Sequence, residues 1–235
     1  MTTRPTRTTR DVAIPGPRLN GTSRPVVYPE SDGNPMAEHE LHLREMIRLI
    51  MTLDAYYAGQ ADAHVAGNQL LYYEEGNPRK SISPDVYVAL GVPKLPLLRT
   101  YQTWREGVPP TFVIEVTSPS TRREDLGKKR ELCARLGVAE YVLYDPLAEY
   151  LRPPLQGHRL ADDRYEPMPA DEGGALLSEA LGLRLHLVDG RLRLERQDTG
   201  ALLLSPEERA DSAEARVREL ERRLAALESG DAPAS

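Results

Sequence analysis

The run Thr111-Phe112-Val113-Ile114-Glu115-Val116-Thr117 is apolar on both of its alternating faces, the pattern of a central strand covered from both sides. Glu115 sits in its middle. An ionised carboxylate there is costly unless it is paired or bound to a metal, so the position demands a partner. A structural ion pair with an arginine would meet that demand as well as a functional site would.

Working outward, residues 85–90 follow Pro84 and residues 69–73 follow Gly67-Asn68, and with the Glu115 run they read as three successive strands. Asp85 stands at the start of the second. Neighbouring antiparallel strands lie about 4.8 Å apart, so Asp85 and Glu115 could reach one cation, although Ser83-Pro84-Asp85 alone reads as a turn. Thr121-Arg122-Arg123-Glu124 is a capping box that starts a helix stopping at Gly137, and residues 140–144 form a short strand ended by Asp145-Pro146. Upstream, Asn34-Pro35 opens a helix with an apolar stripe of Leu43, Met46, Ile47, Ile50, Leu53 and Tyr57. The order is helix, three strands, helix, strand. Residues 184–188 and 191–195 then alternate around Asp189-Gly190, a hairpin signal.

The second helix supplies a third group. At about 100° per residue, Leu126, Leu132, Cys133 and Leu136 define an apolar arc with Lys129 near its middle and Asp125 on its flank. An exposed Asp125–Lys129 pair would be worth only about 0.2–0.5 kcal/mol and the inward aim of Lys129 counts against it, while a snorkelling stem that exposes the ammonium stays open. Alternation places the Thr117 hydroxyl on the Glu115 face. Two carboxylates and an inward lysine suit metal-assisted hydrolysis of a phosphodiester, with Mg²⁺ as the ion and Mn²⁺ as its substitute.

Ser83-Pro84-Asp85, Glu115-Val116-Thr117-Ser118, Ser120-Thr121, Asp125 with Lys129, Gly137-Val138, Glu140-Tyr141 and Asp145-Pro146 together resemble the Uma-two family of endonucleases, within the PD-(D/E)XK, restriction-endonuclease-like superfamily. The resemblance covers roughly residues 30–195. It implies an α/β fold with an αβββαβ core and a mixed sheet, Asp85 and Glu115 as metal ligands, and Lys129 as the catalytic lysine. The superfamily lysine normally stands where this chain has Thr117; in this family it has moved onto the helix. An aromatic usual four residues after that lysine is Cys133 here. Related nucleases also bring an acidic residue from the first helix to the metal, which makes Glu38, one turn from His42, a further candidate.

Composition bounds the partners. Of 235 residues 40% are hydrophobic, and 30 Lys+Arg against 36 Asp+Glu give a net charge of −6, which excludes a protein that coats DNA by overall positive charge. Cations are instead local, at Arg79, Lys80 and across residues 122–135, so weak, salt-sensitive DNA binding is expected. A single cysteine, Cys133, excludes an internal disulfide. No apolar run approaches a membrane span, and the opening MTTRPTRTTR lacks a signal-peptide core, so a cytoplasmic location is expected. Residues 1–24 read as a disordered basic arm, 25–200 as the nuclease-like domain, 205–228 as a coiled-coil helix opened by a Ser205–Glu208 capping box, and 229–235 as a disordered tail. That helix carries an apolar seam that either dimerises the protein or packs back on its own domain. The alternative function is a non-catalytic nucleic-acid or protein interaction module on the same fold.

Overall fold

The computed structural model describes residues 26–29, 40–118 and 121–228. Helix α1 (Glu40–Tyr56) leads into strands β1 (Ala63–Ala66), β2 (Leu71–Tyr72), β3 (Ser81–Ile82), β4 (Val86–Leu90) and β5 (Tyr101–Gln102), then short helix α2 (Thr103–Glu106) and strand β6 (Phe112–Val116). Helix α3 (Arg122–Glu124), a π-helical turn (Asp125–Lys129) and α4 (Arg130–Leu136) run on in continuous helical conformation to β7 (Glu140–Tyr144). Strands β8 (Leu155–Ala161), β9 (Arg164–Pro167), β10 (Leu176–Ser178), β11 (Leu183–Val188) and β12 (Arg191–Arg196) precede helix α5 (Pro206–Glu228).

The main sheet has the order β1-β4-β6-β7-β8-β9, and β6–β7 is its parallel pair. A parallel pair cannot be joined by a tight turn, and the α3–α4 helix is the crossover that joins it. The αβββαβ core is therefore α1, β1, β4, β6, α3–α4 and β7, on a mixed sheet. Strands β8 and β9 extend it, and β10 joins the expected β11–β12 hairpin in a second sheet. That hairpin turns on Asp189 and Gly190, both at positive φ (51° and 78°), as a two-residue primed turn requires.

One core strand differs from the sequence expectation. The strand beside β4 is Ala63–Ala66, whereas residues 69–73 give β2 to a small separate sheet, β3-β2-β5. Local β-propensity favours the Leu- and Tyr-rich stretch, but pairing decides: Ala63 to Ala66 lie against Leu90 to Tyr87. This register brings Gly67 onto the Asp85 backbone. A Cβ at Gly67 would collide with the Asp85 carbonyl oxygen and the Ile50 side chain, so only glycine fits.

Alternation along β6 sorts the core into two layers. Phe112, Ile114 and Val116 meet Met46, Leu49 and Leu53 of α1 and the leucines of β11 and β12, while Val113 meets Cys133, Tyr141 and Leu143 under α4. The buried face of α1 is also rotated from the expected stripe: Leu43 and Ile47 are exposed, and His42, Glu45, Arg48 and Thr52 are buried. Polar groups can occupy that face because they are paired. Glu45 binds Arg48 and Arg191, and the Thr52 hydroxyl donates to the Arg48 carbonyl. The expected start of this helix at Asn34-Pro35 lies outside the described residues.

The two capping boxes end differently. At α5 the box forms reciprocally, Ser205 N donating to Glu208 Oε2 (2.7 Å) and Glu208 N to Ser205 Oγ (3.2 Å). At Thr121 it does not form, because Thr121 already has helical φ and ψ (−93°, −24°) and its hydroxyl turns back to Ser118. Ser118 takes over, its Oγ accepting from Thr121 N (3.3 Å).

Two outcomes follow for stability. Gly67→Ala should destabilise the fold by about 1–3 kcal/mol, the usual cost of overpacking, measurable by urea unfolding; an unchanged midpoint would contradict the close approach to Asp85. Cys133 is buried, and burial together with the nearby Glu115 charge raises its thiol far above the ordinary range. Titration with a chromogenic disulfide should find no reactive thiol in the native protein and one per chain in denaturant.

Candidate active site

Asp85 immediately precedes β4, one step beyond the Val86–Ile114 pair, so it lies across from Glu115 where the β4–β6 ladder ends. The two carboxylates finish that ladder. Asp85 N donates to Glu115 Oε2 (3.1 Å), and Val116 N donates to Asp85 Oδ2 (2.8 Å). Each acid is thus fixed by a backbone amide of the other's strand, a rigid placement for groups that must converge.

The helix completes the cluster through its π turn. A π turn widens the helix by one residue, and such turns recur where a helix presents functional groups. Here it buries Asp125 (0% exposed) and Lys129 (7%) together against the sheet. The Tyr141 hydroxyl, from β7, donates to the Asp125 carbonyl (3.0 Å) and pins the turn. Lys129 Nζ donates to Glu115 Oε2 (3.0 Å) and lies 3.1 Å from Asp125 Oδ1. From the opposite side, His42 of α1 brings Nε2 to 3.5 Å from Asp85 Oδ1.

Of the groups singled out in the sequence, Asp85, Glu115, Thr117, Asp125 and Lys129 are thus all buried at one end of the sheet. Glu38 lies outside the described residues. His42, one helical turn from Glu38, is the α1 residue beside Asp85. Its signal was the spacing of His42, Glu45, Leu49, Thr52 and Leu53, which marks the buried face once Leu43 and Ile47 are assigned to solvent.

Charge is unbalanced at this site. Asp85, Glu115 and Asp125 would carry −3 and Lys129 +1, leaving −2 when all four are ionised. Burial pushes the Glu115 carboxyl well above its usual range; Lys129 pulls it back, and Asp85 and Asp125 add to the rise. Asp125 is likewise raised by burial, against the pull of Lys129. Burial would lower the Lys129 ammonium, but Glu115, Asp125 and Asp85 outweigh that and raise it, so Lys129 stays charged.

These residues fit a hard divalent cation. Glu115 Oε1 is buried without a hydrogen-bond partner among the described residues, as is Thr117 Oγ1 on the same face, and the site has carboxylate in excess. Among the described residues no group of three or more His, Cys, Asp or Glu side chains forms a ready-made cage. The fit is therefore to an ion such as Mg²⁺, which binds through one or two carboxylates and keeps several waters. Exposed Arg122, Arg123 and Lys128 lie on the segment that carries Asp125 and Lys129.

A family model described as "Uma2: Putative restriction endonuclease" matches residues 28–196, which contain the whole cluster. Among curated proteins none matches the sequence. Among solved structures, the chain is similar to a "putative nuclease belonging to DUF820" from Anabaena variabilis, at 14% identity and a TM-score of 0.45, covering 65% of this chain and 81% of that one. With the matched segment extending over well more than half of its length, the chain belongs to the Uma2 family.

Proposed function

We propose that the protein is a Mg²⁺-dependent endonuclease that hydrolyses phosphodiester bonds of DNA. The observation that carries this reading is the end of the β4–β6 ladder, where Asp85 and Glu115 are locked face to face with Lys129 between Glu115 and Asp125. The family description points to the same class of chemistry.

Asp85 and Glu115 would hold the ion, whose contribution when bound is Lewis-acid polarisation of the phosphate and a more acidic water. Lys129 enters as a fixed cation. Flanked by two carboxylates, it cannot serve as a base near neutral pH; it offsets the negative charge that grows on the phosphate as the bond breaks. The Thr117 hydroxyl has no competing partner among the described residues and is available to orient a water or a phosphate oxygen. His42 restrains Asp85 from α1. Arg122, Arg123 and Lys128 meet neighbouring phosphates, and with so few cations on an acidic protein the binding falls steeply with salt.

A second reading has an observation in its favour. Lys129 already closes an ion pair with Glu115 and with Asp125, and a site completed in that way could serve a non-catalytic interaction module.

Two experiments separate them. With Mg²⁺ or Mn²⁺ and DNA substrates, Asp85→Ala, Glu115→Ala and Lys129→Ala should each reduce cleavage by about 10²-fold or more; cleavage unchanged in all three would sink the assignment. Mg²⁺ should also raise the melting temperature of the wild type and not of Asp85→Ala, because an ion bound only by the folded state stabilises it. The raised Glu115 and Asp125 carboxyls keep their protons to higher pH than free carboxyls, and protons compete with the ion. The thermal shift should therefore grow as pH rises from mildly acidic to slightly alkaline. Absence of any shift across that range favours the interaction module.

A further inference from the structure

Helix α5 is rooted at Ser205 by its capping box and by the Arg193–Glu208 ion pair. Beyond that root it extends into solvent. Val217, Leu220, Leu224 and Leu227 are 52%, 49%, 57% and 67% exposed, so the seam does not fold back on the described part of its own domain. An apolar stripe left exposed among the described residues lacks the burial that normally stabilises helices in proteins.

The charges beside the seam identify the missing partner. With Ala210, Val217 and Leu224 at heptad position a and Ala213, Leu220 and Leu227 at d, position g is Arg209, Arg216 and Arg223, and position e is Glu214, Glu221 and Glu228. One flank is wholly basic and the other wholly acidic. In a parallel, in-register pair each g residue faces the e residue five positions later on the other helix. That sets Arg209 against the partner's Glu214 and Arg216 against the partner's Glu221, and the same pairs recur across the two-fold axis. An antiparallel pair would set Arg against Arg and Glu against Glu. Val217 at a with Leu220 and Leu227 at d also suits two parallel strands.

We propose that α5 joins two copies of this chain as a parallel, in-register coiled coil. The occupant of the seam is a second copy, because each flank of the helix is the charge complement of the other. Within one chain Arg218–Glu214 and Arg223–Glu219 are exposed pairs one turn apart, too weak to hold those side chains against an interchain partner. The pairing places both domains at the same end of the coil. It is independent of the chemistry proposed for Asp85 and Glu115.

Sedimentation of the full chain should give twice the monomer mass. A chain with Arg209→Glu, Arg216→Glu and Arg223→Glu, and another with Glu214→Arg, Glu221→Arg and Glu228→Arg, should each sediment as a monomer, because every facing pair becomes like-charged. Mixed in equal amounts, the two should again give the doubled mass, which shows that both fold. Direction is read from Leu227→Cys: parallel pairing brings the two new thiols together, and mild oxidation should give a disulfide-linked dimer, with buried Cys133 silent. A wild type that stays monomeric at high concentration, a charge-swapped mixture that does not associate, or a Leu227→Cys chain that associates without cross-linking would each overturn the proposal.

Discussion

A carboxylate at the centre of a strand buried on both faces constrains everything around it. Glu115 is fully buried, and leaving such a charge unpaired after loss of its partner typically costs about 3–5 kcal/mol. Lys129 must therefore reach it, which fixes how the crossover helix lies on the sheet. The π turn is the local answer to that demand. It carries Asp125 and Lys129, both buried against the sheet, whereas an i,i+4 ion pair commonly lies on the wet side of a helix.

The same constraint explains why the site lies at the end of a ladder. Beyond the Val86–Ile114 pair the β4–β6 ladder stops, and the amides of Asp85 and Val116 need other acceptors. Here they are taken by the two acids, so the hydrogen bonds that finish the sheet also aim the carboxylates. Gly67 presses on the backbone behind Asp85, and His42 approaches its side chain from α1. Three elements distant in sequence thus bear on a single aspartate, and its position depends on the packing of the whole core layer.

What could be read in advance follows the range of the interactions. Glu115, Thr117, Asp125 and Lys129 were legible because strand alternation and helical arcs are local rules, and both elements are strongly patterned. Asp85 needed only the further assumption that the strand before β6 pairs with it. The identity of β1 was not legible, because Ala63–Ala66 has little β-propensity of its own and is a strand only through pairing with β4. Nor was the buried face of α1: Leu43 and Ile47 look like core, whereas Glu45 and Arg48 are buried because Arg191, far along the chain, neutralises the acid. His42 was obscured by the same error. Thr121 misled in another way, since the capping pattern was present but Ser118 stands closer to the cap geometry.

The net charge of −6 is finally less informative than where the charge sits. A purely structural ion pair would join Lys129 to one carboxylate and be neutral. This cluster gathers three, and burial penalises the charge of two of them, Glu115 and Asp125. Selection for stability alone would remove the surplus, because an apolar residue of similar size at Asp125 would relieve repulsion while leaving the Glu115–Lys129 pair intact. A buried excess of carboxylate, with Glu115 Oε1 still lacking a partner among the described residues, is costly by itself, and the cation proposed for this site would offset that cost. A structural strut would need the ion pair alone and would lack that imbalance.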